Sequence, residues 1–571
     1  MDRRRFCQLG AAAGAAALGG CERTTDALQH VRGDFTGIAH ERGHRLRDGV
    51  QAPPPTGLPT RSTRVLILGA GVAGLAAARA LRQRGVDDLA VLELEDQPGG
   101  NARAGHLGGM PCPLGAHYLP LPGDDAPEVQ DLLEELGLRQ RLAGVWRYDE
   151  RHLCHSPQER LYFQGEWHEG LLPVHGVGRS TLAQYRRFAA LVAQARAGAA
   201  WPLPMQSAPM APFKRALAAQ TFAAYLDQHG LDDVHLRWYL DYCCRDDYGA
   251  APETVSAWAG IHYFASRHGF HAPGESAEER EGLLTWPEGN AWLTQRLAKP
   301  LGERLLTGRV VNAVVPQRQG VQVDVWNTGA AVWERWQARQ VVLALPIFVA
   351  ARIVRNPPDF LRAAAARTAY APWLVANVQL GAALHDPPGA APSWDNVIYG
   401  VDPALGGGLG YVDATHQRLR PVPGPTVLTH YRAWGAQESA NGRPAPPGAA
   451  ARALLMRQPW TFWRDTILTE LAQAHPDLPA KAQRLEITRY GHAMVIPVPQ
   501  IDGQIGLWPA QILREQLSKS KQKQGAYPPR PVLGWERLFF AHSDWAGYSV
   551  FEEAFTAGHA AGHAAALAQP A

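Results

Sequence analysis

Between Arg64 and Arg103 the apolar and polar positions predict a strand, a turn, a helix and a second strand. Val65-Leu66-Ile67-Leu68 is an uninterrupted apolar run, as a buried parallel strand requires. Leu75 to Arg84 is rich in Ala, Leu and Arg and predicts a helix. Leu89 to Leu92 predicts the second strand and ends on Glu93. From Glu128 to about Ala272 the pattern is mainly helical, with Val129 to Leu138, Leu182 to Ala197, Phe222 to Gln228 and Val234 to Cys244 as its clearest stretches. Ala291 to Ala298 predicts one more helix. Strands are predicted at Val310 to Val314, at the alternating Val321, Val323 and Val325, and at Gln340 to Pro346. Leu374 to Leu380 and Thr426 to Thr429 predict further strands, and Phe462 to Ala474 a helix. The chain closes on a strand, a turn with an acid, and an Ala-rich helix from near Val550 to Ala568.

The first strand runs directly into Gly69-Ala70-Gly71-Val72-Ala73-Gly74, the spacing G-x-G-x-x-G. Gly69 permits the tight turn, Gly71 lets backbone approach a pyrophosphate, and Gly74 lets helix and strand pack closely. The helix that follows offers unpaired N–H groups and a positive dipole end to an anion. Glu93, 24 residues after Gly69, is placed to accept hydrogen bonds from an adenosine ribose. Strand, glycines, helix, strand and acid in this order point to a dinucleotide.

The continuation Gln97-Pro98-Gly99-Gly100-Asn101-Ala102-Arg103 decides which dinucleotide. This second Gly-Gly resembles the extended FAD fingerprint of the flavin amine oxidases, the family of monoamine, polyamine and L-amino acid oxidases. That family usually has Arg after the Gly pair; here Asn101 follows, and Arg103 is the candidate phosphate contact. Gly115-Ala116-His117 closes a segment resembling the family's flavin-edge hairpin, and Val311 matches the valine at the adenine end. The tail, His542-Ser543-Asp544-Trp545-Ala546-Gly547-Tyr548-Ser549-Val550, resembles the C-terminal flavin motif. There Asp544 matches the acid at the ribityl–pyrophosphate, and the helix from Val550 points at the flavin ring. Arg352 stands where many members carry a lysine near flavin N5. Arg352, as a fixed cation, and Tyr548, as a wall at the flavin face, are therefore the catalytic candidates; a surface ion pair and a packed core tyrosine are the alternatives.

The resemblance implies an α/β fold: a Rossmann-like FAD-binding domain plus an α+β substrate domain. The FAD domain is expected from 63–127, 281–345 and 531–571, and the substrate domain from 128–280 and 346–530. It implies a small-molecule substrate, an amine or polyamine, losing hydride to flavin N5, with turnover rising with pH. A C–C desaturase with a non-oxygen acceptor and a flavin-binding protein without turnover are the alternatives. The electron acceptor is oxygen or a quinone. No cysteine follows Cys244, so FAD is expected to be non-covalent. Arg245 to Tyr248 and Trp258 to Phe264 are dense in polar and aromatic groups and suit either an amine pocket or the core.

Composition adds limits. The net charge of +3, from 56 basic and 53 acidic residues, gives no reason to invoke nucleic acid. The six cysteines lack metal-ligand spacing, no metal is expected, and Cys154, Cys243 and Cys244 read as buried small apolar residues. Arg3-Arg4-Arg5-Phe6 followed by the apolar Leu9 to Gly20 resembles a twin-arginine export signal. Leu18-Gly19-Gly20-Cys21 resembles a lipoprotein box, so residues 1–21 predict export to the periplasm with a possible lipid anchor at Cys21. Residues 22–62 read as a flexible spacer, and Lys519-Ser520-Lys521-Gln522-Lys523 as a solvated loop.

Overall fold

The structure is a computed structural model. It describes residues 28–49, 54–154, 158–205, 211–267, 269–274, 282–400, 407–417, 422–434, 439–440, 443–444, 447–499 and 532–568. The export signal, Cys21 and the Lys519–Lys523 cluster lie outside the described residues.

Two eight-stranded sheets organise the chain. The centre of the first is parallel: Thr60–Leu68 lies between Leu89–Leu92 and Val332–Leu343, and Leu538–Phe540 adds beyond. Val65 to Leu68 and Val341 to Leu343 are fully buried because both sheet faces are covered. That is why their sequence reads as continuous apolar runs rather than alternation. Val332–Leu343 continues antiparallel to Gly320–Asn327, which pairs with Arg309–Gln317. This sheet collects strands from three separated stretches of chain, as the α/β expectation requires.

The helix Val72–Gln83 begins three residues earlier than its composition suggested, capped by Gly71. Its partner is the closing helix Phe551–Leu567. A Cβ at Gly558 would stand 1.9 Å from Ala73 O, so only glycine allows this approach. Gly74 does the same against the first strand, where a Cβ would stand 1.9 Å from Gly69 O. The last 18 residues of the described chain are thereby locked to the first fingerprint.

The second sheet runs, in order, Arg32–Phe35, Ala482–Ile496, Ala369–Leu380, Thr426–Ala433, Gly408–Asp413, Asp395–Ile398, Glu159–Phe163 and Glu166–Glu169. Its helical cover includes Arg179–Gly198, Val234–Tyr248 and Ala257–Ala265. Two expectations change here. The stretch from Glu128 to Ala272 is not helical throughout, because Arg139–Leu142, Val145–Tyr148, Glu159–Phe163 and Glu166–Glu169 are strands. Glu159–Phe163 is held by parallel pairing with Asp395–Ile398, a partner invisible to local periodicity. The spacer reading of 22–62 is corrected for residues 28–49. Arg32–Phe35 pairs in parallel with Ala482–Ile496, and Leu28 and Val31 are in the core. The helix His40–Asp48 is tied to the first sheet by Ala39 N–H to Glu95 and Arg42 to Leu94 O, 2.7 Å. Polar composition misled because the helix buries none of its own residues yet spends its polar groups on long-range bonds.

Candidate active site

A cleft opens at the carboxyl ends of the first sheet's parallel strands, where a doubly wound sheet places its ligand. Gly69, Gly71, Val72, Ala73, Glu93, Gly99, Gly100, Val311, Asp544 and Val550 all line it. Gly71 and Gly100 face each other so closely that a Cβ on Gly100 would be 3.1 Å from Gly71 Cα. Glu93 accepts from Ala70 N–H at 2.7 Å and from Glu95 N–H at 2.9 Å. Burial pushes its pKa up, opposed by these two N–H donors. Leu46, from the segment first read as spacer, closes part of the same wall.

Asp544 sits at the other end of the cleft. It accepts from Tyr370 Oη at 2.6 Å and Ile347 N–H at 3.1 Å, and His542 Nδ1 stands 3.1 Å from its other oxygen. Burial alone would raise its pKa; His542, Tyr370 and the Ile347 N–H reverse this and hold it below the usual carboxylate value. The helix Phe551–Leu567 starts here with Val550 as N-cap, aiming its N–H groups into the space. Glu553 on this helix points away, accepting from Met205 N–H at 2.5 Å.

Beyond Asn101, Ala116 and Asn290 the cleft opens into a connecting space of about 150 Å³. Asn290 is 2 % exposed, and its Oδ1 has no hydrogen-bond partner among the described residues although it lines both spaces. Its Nδ2 is spent on Tyr118 O at 2.8 Å. A buried acceptor left open at such a junction fits a ligand that donates to it. The glycine cradle, the helix N-termini and this acceptor together fit FAD.

The connecting space leads to a chamber of about 530 Å³ under the second sheet. His117, Tyr118, Asp246, Arg267 and Tyr431 wall both. Tyr431 stacks on His117 at 4.3 Å, and its hydroxyl donates to Gly115 O at 3.2 Å. Tyr490 donates to Leu114 O at 2.7 Å, so two tyrosines of the second sheet hold the Leu114–His117 backbone in place. Burial lowers the His117 pKa to about 3, so the ring is neutral.

Carboxylates set the chamber's electrostatics. Asp247 is neutralised by Arg267, Nη1 to Oδ2 2.8 Å. Asp246 has no such partner among the described residues, and its pKa is raised to about 7 by burial and by Asp247, against the pull of Arg267 and Arg245. Across the chamber, Asp395 is raised well above its ordinary value by burial, Asp246 and Glu159. Glu159, Tyr239, Tyr242, Tyr263 and Trp394 complete the wall. The result is an aromatic, acid-rich space beside the cofactor cleft.

Three expected residues are placed differently from their assigned roles. Arg352 is exposed and lines neither space; it donates to the carbonyls of Leu46 (3.3 Å) and Arg47 on the outer face. Its short helix, Ile347–Ile353, turns the side chain outward while Ile347 and Ile353 face in. Tyr548 is fully buried behind the chamber, accepting from Arg267 at 2.8 Å and donating to Asp247. It braces the ion pair rather than walling the ligand. Arg103 lies under the Gly99-Gly100 turn, donating to Gly100 O at 2.9 Å, so it props the turn. The basic side chain in the cleft is Arg309, itself paired with Glu334 at 3.3 Å. Gly115, Ala116 and His117 line the junction. Of the polar stretches, Asp246, Asp247, Tyr263 and Phe264 reach the site, whereas Tyr248, Trp258 and His262 are core. Asp395, Trp394, Tyr431, Tyr490 and Asn290 were not anticipated as site residues.

The comparisons with known proteins agree with this geometry. Cyclohexylamine oxidase from Brevibacterium oxydans IH-35A is 18 % identical with a TM-score of 0.59, covering 89 % of this chain and 99 % of that one. A double mutant of putrescine oxidase is 17 % identical with a TM-score of 0.59, covering 89 % and 99 %. At these identities the likeness is one of fold. Coproporphyrinogen III oxidase of Mycobacterium tuberculosis (strain ATCC 25618 / H37Rv) is 42 % identical over 99 residues, 17 % of this chain and 20 % of that protein. The chain thus spans about a fifth of the length of the curated relatives it matches. The model for flavin containing amine oxidoreductases matches residues 72–399, more than half of the chain. With the cleft, the bridging Asn290 and the two-sheet architecture in place, the chain belongs to the flavin-containing amine oxidoreductase family.

Proposed function

We propose that this protein is an FAD-dependent oxidoreductase whose substrate is an amine that enters as an ammonium cation. The observation that carries the reading is that Asp246 and Asp395 line one aromatic chamber continuous with the FAD cleft. Bound FAD supplies the two-electron acceptor that no side chain provides. The chain's own residues do the rest. Tyr431, Trp394 and Tyr263 line the chamber with aromatic surface, which suits a cation. The Asp246 carboxylate accepts an ammonium N–H and, being a weak acid there, can take that proton when the neutral amine is needed. Arg267 is held by Asp247 and Tyr548, and its pull on Asp246 is outweighed by burial and Asp247.

A second reading, oxidation of a carbon–carbon bond or a porphyrinogen, is favoured by the match to coproporphyrinogen III oxidase over 99 residues. The chamber counts against a carboxylate-bearing substrate, because Arg267, the arginine of its wall, is already paired with Asp247. Anaerobic bleaching of the flavin discriminates. Monoamines, diamines, polyamines, amino acids, apolar polyenes and porphyrinogens are added in turn under argon. Bleaching by amines alone is expected; bleaching by polyenes or porphyrinogens alone would overturn the proposal. Readmitting air then separates oxygen from a quinone as acceptor. Non-covalent FAD is supported by the absence of any cysteine from the cleft and chamber walls among the described residues. Flavin remaining with acid-precipitated protein would contradict it. Export through the Arg3-Arg4 signal and anchoring at Cys21 remain proposals, tested by fractionating cells that carry Arg3/Arg4→Lys or Cys21→Ser.

A further inference from the structure

One surface feature stands outside the site. The hairpin Arg139–Leu142 and Val145–Tyr148 projects from the first sheet's side of the molecule, its strands paired Leu142 with Val145 and Arg141 with Trp146. Its turn is tight: Ala143 has φ +50° and Gly144 φ +82°, the two positive values of a type I′ turn. The shape is therefore built in. Leu142 is 52 %, Val145 57 % and Trp146 40 % exposed. Eight large hydrophobics are this exposed among the described residues, and three of them sit within these five positions. The other five are scattered along the chain, where isolated exposure needs no explanation.

The charges within the hairpin itself are of one kind. Arg141 and Arg147 are exposed, and neither forms an ion pair among the described residues. Arg141 lies 5.9 Å from the Trp146 ring, and Arg139 stacks on the same ring at 3.9 Å. Arg139 is neutralised by Glu134 at 3.0 Å, and Arg151 is matched by Asp149, so the uncompensated cations are those nearest the apolar tip. Burying such a tip in a protein pocket would strand two guanidinium groups. An anionic lipid surface accepts both parts: headgroup phosphates meet Arg141 and Arg147, while Leu142, Val145 and Trp146 enter the acyl boundary.

We propose that the hairpin 139–148 is a docking element for anionic membrane surfaces. The proposal is independent of the amine reading and of any acyl chain. Each arginine near an anionic leaflet contributes roughly fivefold to partitioning, so the pair contributes about thirtyfold.

The test uses the full-length FAD-loaded protein carrying Cys21→Ser, so that no lipid anchor contributes. Cosedimentation is measured with phosphatidylglycerol/phosphatidylcholine vesicles and with phosphatidylcholine vesicles alone. About thirtyfold tighter partitioning to the anionic vesicles is expected. Arg141→Glu with Arg147→Glu should abolish that preference, and Leu142→Ser with Trp146→Ser should weaken binding to the anionic vesicles. Flavin absorbance and circular dichroism should be unchanged in both variants, because the hairpin lines neither cleft nor chamber. Equal partitioning to both vesicle types, or binding untouched by either variant, would overturn the proposal. So would self-association that Trp146→Ser abolishes in sedimentation velocity, since the tip would then be covered by a second copy.

Discussion

Asp246→Asn is expected to make the protein more stable and less able to bind its substrate. The carboxylate is raised to about 7 by burial and by neighbouring Asp247. In the unfolded chain it titrates near its ordinary value of 3.8. The folded state therefore holds the proton to higher pH. Stability associated with this group is present below pH 4 and is lost as pH rises through 7. The difference corresponds to about 4 kcal/mol above pH 7, at 1.36 kcal/mol per pKa unit. Asparagine keeps the shape and cannot ionise. Urea unfolding of the wild type and the variant, without substrate, should agree near pH 4 and diverge to about 4 kcal/mol in favour of the variant at pH 8. With substrate the order reverses. KM for a cationic amine should rise below pH 7 in the wild type, as Asp246 takes up its proton, and should be high and flat in the variant. Parallel stability curves for the two proteins would refute the electrostatic argument, even if activity fell.

Four further outcomes follow from the same structure. Gly558→Val places a Cβ 1.9 Å from Ala73 O and must push the closing helix off the fingerprint helix, so flavin retention and the thermal midpoint should both fall, by about 1–3 kcal/mol or more in stability. Asp544→Ala leaves the Tyr370 hydroxyl and the Ile347 N–H without their acceptor at about 1–3 kcal/mol each, and FAD should dissociate more readily in equilibrium dialysis. Glu470→Gln removes the charge that His430 and Arg432 share beneath the second sheet; a loss of about 3–5 kcal/mol is expected in denaturant melts at unchanged flavin absorbance. Arg352→Ala should change neither flavin spectrum nor turnover, with stability within about 0.5 kcal/mol, because the side chain meets carbonyls and the exposed Asp48 on the outer face. A change in flavin reduction rate would restore the role that its sequence position suggested.

The cofactor half of the protein was legible in the chain because its requirements are local. A turn that tolerates only glycine at Gly69, an acid 24 residues later at Glu93, and apolar runs long enough for a doubly covered strand are all properties of neighbouring residues. Helix positions such as Phe222–Gln228 and Ala291–Ala298 were legible for the same reason. The substrate half was not. Asp246 and Asp395 lie 149 positions apart; the polar stretch around Asp246 suited a pocket or the core equally, and Asp395 carries no local mark. Only the pairing of Asp395–Ile398 with Glu159–Phe163, and the packing of Val234–Tyr248 beneath the second sheet, bring their carboxylates into one space. Arg352 and Tyr548 show the same limit from the other side: alignment with a motif set their positions along the chain, but the turn of a helix and a buried ion pair decided where their side chains went. The sequence determined that a dinucleotide is held and by which backbone. Tertiary structure decided what stands opposite it, because the charge and shape of a chamber depend on residues that meet only after the chain has folded.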